Sequence, residues 1–306
     1  TAASYDAIVR NHLMPDPLAA KPLREVTATD VNLLLERVAS KPGRSGATLS
    51  RKTVKNVLMV LKAALDAAVR QQCIPRSVVD QVDRPRPRKP EVQVWTSDNV
   101  SSFFRYVDAN SQRMGALYRL AAVTGMRRGE LAGLKWRHVD LEAATLRVER
   151  TRLYADGAIY EEQPKTDGSR RTIHIGRVGL DALRAARRIQ EEDALALGDD
   201  WVDSGLVFAS ADGTGLHPDF ISKRFNRDVA ASGVVKIKFH GLRHTFATNA
   251  LAQGENPKQV SEILGHSTIQ TTLGLYSQFL PGSHQRTIRT VESTLFPEAV
   301  ETENRS

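Results

Sequence analysis

The sequence predicts a mainly α protein with one small antiparallel β-meander, an α+β class. Apolar residues recur at helical spacing along most of the chain. Between residues 145 and 175 the spacing changes to alternation, with Asp156-Gly157 and Asp167-Gly168 placed as turns. Three prolines, Pro85, Pro87 and Pro90, interrupt any helix and divide a helical N-terminal part from a larger C-terminal one.

In chain order, the first part (residues 1–85) reads as a bundle of two to four helices. Thr27 followed by Asp30 forms a capping-box pattern, in which the hydroxyl satisfies an early amide and the carboxylate sits at the positive helix end. Val31, Leu34, Leu35 and Val38 then give one apolar stripe. The basic loop KPGRSGATLS leads into a long helix with Val54, Val57, Leu58, Leu61, Leu65, Ala68 and Val69 on one face. Arg51, Lys52 and Lys55 lie at its start, placed to touch phosphates. Cys73 follows an apolar pattern and reads as a buried structural thiol; a single cysteine cannot form an internal disulfide.

The segment DRPRPRKPEVQVW (83–95) alternates proline with Arg84, Arg86, Arg88 and Lys89. It reads as an extended, basic, semi-rigid linker, with residues 86–95 as its span. Residues 96–296 form the second domain, and 297–306 a polar tail. A helix near 111–124 ends at Gly125, and Gly129-Glu130 opens a short second one. That break holds Arg127 rigidly and leaves Arg128 for the surface. Strands are expected around Leu146–Val148, Ile159–Tyr160 and Thr172–Ile175. A helix at 178–197, the short strand GLVFAS and a helix through Phe225 follow. A helix then spans about 241–253, Asn256-Pro257 starts another, and Gly265 stops it. Ser267 caps a short helix reaching Tyr276, and a last helix covers about 285–295.

Composition narrows the function. The 306 residues carry a net charge of +8, unevenly spread. Residues 1–94 hold 16 Lys and Arg against 9 Asp and Glu, whereas 95–306 hold 27 against 26. A basic N-terminal third points to a polyanion, most simply nucleic acid. No run of about 18 apolar residues exists to span a membrane, and no basic-then-apolar signal pattern opens the chain. With one cysteine, the chain suits a reducing, cytosolic compartment. A chain opening on Thr1 without Met reads as a piece of a longer protein.

The chemistry concentrates between Phe239 and Phe279. His240 and Arg243 share one side of a helix start. His266 follows the Gly265 stop, and Tyr276 lies one short helix beyond. Joined by Arg127, they would form a pocket in which two guanidiniums clamp a phosphate through charge-assisted bonds. Such a clamp favours the more highly charged transition state. A phenol with a free pKa near 10 needs a cationic pocket or a base to become nucleophilic. His240 and His244 give H-x-x-x-H, but Gly241 stands where a metalloprotease motif needs Glu, so no metal is expected. There is no G-x-x-x-x-G-K-[ST] loop for ATP. Asp199, Asp200 and Asp203 read as solvated. Trp95, Trp136 and Trp201 read as packing residues, and Lys165 alone as a solvated loop-tip cation.

Four stretches then stand together in order: TGMRRGELAGLKW, PKTDGSRRTIHI, HGLRHTFAT and LGHSTIQTTLGLYSQ. They strongly resemble the catalytic domain of phage integrases of the tyrosine recombinase family. The helical residues 1–85 resemble that family's SAM-like core-binding domain. An arm-binding domain, found in many such integrases, has no counterpart here. The resemblance implies a site-specific DNA recombinase that clamps DNA between its two domains, needs no cofactor, and works through a 3′-phosphotyrosyl intermediate and a Holliday junction. It implies that Arg127 and Arg243 bind the scissile phosphate and that Lys165 protonates the 5′ leaving oxygen. His240 would assist proton transfer, His266 would bond a phosphate oxygen, Tyr276 would attack, and Glu130 would support the arginines. Tyr160 on the hairpin is a competitor nucleophile without an arginine neighbour pattern. The implied partners are double-stranded DNA attachment sites, a homotetramer on DNA with the 285–295 helix against a neighbouring protomer or else on its own domain, and DNA-bending accessory proteins or a directionality factor; the implied location is the bacterial cytoplasm, in association with the nucleoid. The rival readings are a type IB topoisomerase-like nicking-closing enzyme and a non-cleaving DNA-binding regulator on the same fold.

Overall fold

The computed structural model describes residues 2–43, 46–86, 93–155, 157–163, 170–266 and 268–276, with backbone alone at 271, 275 and 276. Its contacts divide the chain into two units, Thr1–Glu91 and Val92–Ser306.

The first unit is helical: α1 (Ala2–Ile8), continued by a π-turn over Val9–Leu13, then α2 (Ala28–Ser40) and α3 (Arg51–Arg70). The capping box at α2 is formed in full. Thr27 Oγ1 accepts from the Asp30 amide at 3.3 Å, and Asp30 accepts from the Thr27 amide at 2.8 Å. The α2 stripe Val31, Leu34, Leu35 and Val38 packs on Val54, Val57, Leu58 and Leu65 of α3. Leu61, Ala68 and Val69 are only partly buried against it. Each fully buried aliphatic side chain contributes about 1.5–3 kcal/mol. The loop before α3 is bridged antiparallel at Pro42 and Thr48. Cys73 is exposed rather than buried. The helix stops at Gln71, and Gln72 takes φ +60°, turning the thiol out of the apolar face.

The second unit is built around an aromatic cluster. Trp95, Phe103, Tyr118, Phe225 and Phe239 stack at centroid distances of 4.7–6.3 Å. These rings come from the segment before α4 (Ser97–Asn110), from α4, from α5 (Gln112–Thr124), from α8 (Pro218–Ser232) and from the approach to α9 (His240–Ala252). Trp95 Nε1 donates to the Val235 carbonyl at 2.7 Å, so this tryptophan is a packing residue as expected. Between these helices lie α6 (Arg128–Ala132) and α7 (Arg177–Leu197), and the unit continues through α10 (Pro257–Leu264) and α11 (Ile269–Tyr276).

The fold class stands as mainly α with small antiparallel sheets, but the strand pairing differs from one meander. β1 (Val139–Asp140), β2 (Thr145–Val148) and β5 (Arg171–His174) form one sheet in the order β1-β2-β5. β3 (Thr151–Ala155) and β4 (Ala158–Glu162) form a separate hairpin around Gly157 at φ +79°. Leu146 therefore pairs with Ile173, not with the Ile159–Tyr160 strand. The cause lies in two glycines. A Cβ at Gly129 would meet the Arg152 carbonyl at 3.0 Å, and one at Gly133 would meet the Arg152 amide at 3.1 Å. Bare backbone on α6 thus lets β3 pack onto that helix, away from β2. The expected GLVFAS strand is reduced to isolated bridges, Lys135 with Leu206 and Ala209 with Gly215. The Asp167-Gly168 turn and the 285–295 helix lie outside the described residues.

Candidate active site

The break between α5 and α6 sets the first guanidinium. Gly125 closes α5 at φ +63°, a left-handed conformation. Any side chain there would collide with Leu264 of α10. Arg127 then stands at the start of α6. Its backbone amide donates to Glu130 Oε2 at 2.8 Å and its Nη1 to Glu130 Oε1 at 2.7 Å. Its Nη2 donates to the Gly265 carbonyl at 2.6 Å. Arg127 is thereby fixed against both α6 and the end of α10, as its place at a helix break predicts.

Arg243, one turn into α9, is 3% exposed. Its Nη1 donates to the Gly125 carbonyl at 2.8 Å, while its Nη2 is buried with no acceptor among the described residues. Burial first, then the charge of Arg127, lowers its pKa to about 9, so it stays cationic at neutral pH. A buried cation with an unmet donor is costly unless an anion joins it.

The imidazoles are held neutral. His240 is pushed down to about 4, first by burial and then by His244, Arg243 and Arg127. His266 is lowered to about 4 by burial, then by Arg243 and Arg127. Its Nδ1 shares a 2.8 Å hydrogen bond with Thr272, a fully buried threonine of α11. His244 packs edge-on to His240 with centroids 4.7 Å apart. Glu130 is 3% exposed. Burial raises its pKa, but the bonds and charges of Arg171 and Arg127 outweigh this and hold it below the ordinary carboxylate range.

Arg127, Glu130, His240, Arg243 and His266 therefore lie close enough for their charges to act on one another. Tyr276 is the last residue of α11, the helix that carries Thr272, and its side chain lies outside the description. Lys165, Arg88 and Lys89 also lie outside the described residues. Arg51 and Lys52 are exposed and Lys55 half-buried near the start of α3. Arg84 and Arg86 are exposed. Arg128, read as a surface residue, is half-buried and donates to Asp219 and Ser222 of α8, both at 2.9 Å. Asp199, Asp200 and Asp203 are exposed. Among the described residues no group of three or more His, Cys, Asp or Glu could hold a metal ion. None of the described helices is long and apolar enough to cross a membrane.

A model of the phage integrase family matches residues 93–281. The chain belongs to the phage integrase family. It is a site-specific recombinase of the tyrosine type. It is 28% identical to a tyrosine recombinase XerC-like protein of Caldanaerobacter subterraneus subsp. tengcongensis, over 95% of this chain and 77% of that one. Its fold is similar to the Tn1549 transposon integrase in complex with transposon right end DNA (TM-score 0.76, 23% identity, 95% of this chain and 92% of that one). It is also similar to a lambda integrase tetramer bound to a Holliday junction (TM-score 0.65, 18% identity, 89% and 70%).

Sequence reasoning missed one residue of this candidate site. Arg171 opens β5 and binds Glu130 through both Nη atoms. The only hint was its position inside the basic, alternating stretch Ser169-Arg170-Arg171-Thr172. His138, read as lacking a partner pattern, is buried 3.2 Å from Glu149. His217, read likewise, caps α8 by accepting from the Asp219 amide at 3.1 Å.

Proposed function

We propose that this integrase-family chain cleaves and rejoins double-stranded attachment-site DNA through Tyr276. The tyrosine oxygen attacks the scissile phosphorus, the bond to the 5′ oxygen breaks, and a 3′-phosphotyrosyl bond and a free 5′-hydroxyl result. Lys165 gives the proton to the leaving oxygen, and neutral His240 receives the proton of the phenol. Arg127 and Arg243 hold the non-bridging oxygens, and His266 donates to one of them. Glu130 fixes Arg127. Rejoining reverses these steps with the 5′-hydroxyl of a partner strand, so the phosphotyrosine conserves the diester energy and no cofactor is needed.

One observation carries this reading: the unmet Nη2 of buried Arg243, beside the second cation Arg127, in a pocket whose imidazoles are kept neutral. That is a site for an anion whose charge grows during reaction. Neutral His240 can accept a proton, which an imidazolium cannot.

The N-terminal unit would hold the duplex, and the two units would clamp it. Cations in the first turn of a helix oppose its dipole, so Arg51 and Lys52 sit where they do not help α3 itself, and Lys55 follows them one turn on. Contact with DNA phosphates explains that placement. Arg84, Arg86, Arg88 and Lys89 would follow the backbone between the two units. A homotetramer on two duplexes, DNA-bending or directionality partners, and work at the bacterial nucleoid complete the proposal.

The test is recombination between two marked duplexes carrying the DNA that flanks the gene. Recombinant products are expected. Relaxation of supercoils without recombinants would favour the nicking-closing alternative.

A further inference from the structure

Arg171 reaches the candidate active site from an element that none of the proposed catalytic residues with described side chains occupies. Its side chain is 7% exposed. Nη1 donates to Glu130 Oε1 at 3.1 Å and Nη2 to Oε2 at 2.9 Å, a two-pronged fork. Its Nε donates to the Ile263 carbonyl in the last turn of α10. The guanidinium also lies against Gly265, where a Cβ would stand 2.9 Å from Nη1. One side chain thus ties β5 to α6, which holds Arg127, and to the turn that presents His266.

We propose that Arg171 is a positioning residue for strand cleavage: it neutralises Glu130, leaving the charge of Arg127 to the phosphate, and it fixes the His266 turn. The inference rests on the recombinase reading above and adds a residue to it. Glu130 is the one carboxylate that bonds to Arg127 among the described residues. Were Glu130 paired with Arg127 alone, it would cancel the cation meant for the substrate. With Arg171 present, Arg127 and Arg171 both pair with Glu130 and Arg243 lies within reach of its charge, so among these described groups three guanidiniums stand against one carboxylate. Lysine cannot replace this fork, because an ammonium is a point charge without the planar pair of donors. The anchor also fixes the strand that follows Lys165 in sequence.

The test compares wild type, Arg171→Gln, Arg171→Lys, and the double variant Arg171→Gln with Glu130→Gln. Single-turnover cleavage and DNA affinity are measured on a nicked duplex from the DNA flanking the gene, with folding checked by circular dichroism. Arg171→Gln should lose cleavage on the order of 100-fold with affinity little changed, and Arg171→Lys should recover only part. Removing the unneutralised carboxylate in the double variant should restore cleavage by about tenfold over Arg171→Gln. If folded Arg171→Gln cleaves like wild type, or the double variant is no faster than Arg171→Gln, the proposal is overturned. If wild type itself forms no adduct, the recombinase reading falls and this inference with it.

Discussion

Arg243 combines a buried guanidinium, one satisfied nitrogen and one unmet donor. The proposed phosphate contact would satisfy that donor. Arg243→Ala should lower the cleavage rate by about 100- to 1,000-fold. DNA affinity should remain near wild type, since many backbone contacts hold the duplex. Gel-shift and cleavage assays on one preparation separate the two; equal losses in both would contradict the assignment. The histidines make a second prediction. His240 and His266 have folded pKa values of about 4 against an unfolded value of 6.5. Above the unfolded value they leave stability unchanged. As pH falls from about 6.5 towards 4, the unfolded state binds protons that the folded state refuses, so stability is lost. Each contributes at most about 1.4 kcal/mol per pH unit. Thermal melts of the free protein should fall through that window, and less steeply when both are replaced by Gln. Among these residues, His240, Arg243 and Arg127 are legible in the sequence because local spacing and glycine breaks place them. Arg171 is not, because its partners Glu130 and Ile263 are remote in the chain.

At the scale of elements, the helix ends carry the site. Gly125 both stops α5 in a left-handed conformation and offers its carbonyl to Arg243. Gly125→Ala should cost about 2–4 kcal/mol, from backbone strain and from collision with Leu264. Cleavage should fall with it, since the strained backbone displaces the carbonyl that fixes Arg243. Urea unfolding checks the first, and wild-type stability would overturn the argument. Thr27→Ala is the control: it removes a cap distant in sequence from the site, costing about 1 kcal/mol while leaving the cleavage step unaltered. These ends are readable because capping residues, αL glycines and N1 prolines act within a few positions. The sheets are less so. β2 pairs with β5 rather than with its sequence neighbour because Gly129 and Gly133 of α6 accept β3. That choice depends on packing between elements, which period-two alternation does not encode. Cys73 departs for a similar reason: one residue of positive φ reverses the face on which the helical pattern would have placed it.

For the whole molecule, charge is divided between the two parts of the chain. The N-terminal third and linker are strongly basic, and the C-terminal part is nearly neutral, so the proposal assigns most of the DNA affinity to the former. DNA affinity should therefore fall steeply with salt, as each neutralised phosphate releases counterions. Replacing Arg51 and Lys52 by Gln should reduce the slope of log K against log salt by about 2, and an unchanged slope would remove α3 from the DNA interface. The central claim is that the pocket built by α5, α6, α9 and α10 serves a tyrosine at the end of α11. A nicked suicide duplex from the DNA flanking the gene, which traps the cleaved strand, tests it most directly. Wild type is predicted to form a covalent protein–DNA adduct and Tyr276→Phe none; an adduct that persists in Tyr276→Phe, or none with wild type, would contradict it.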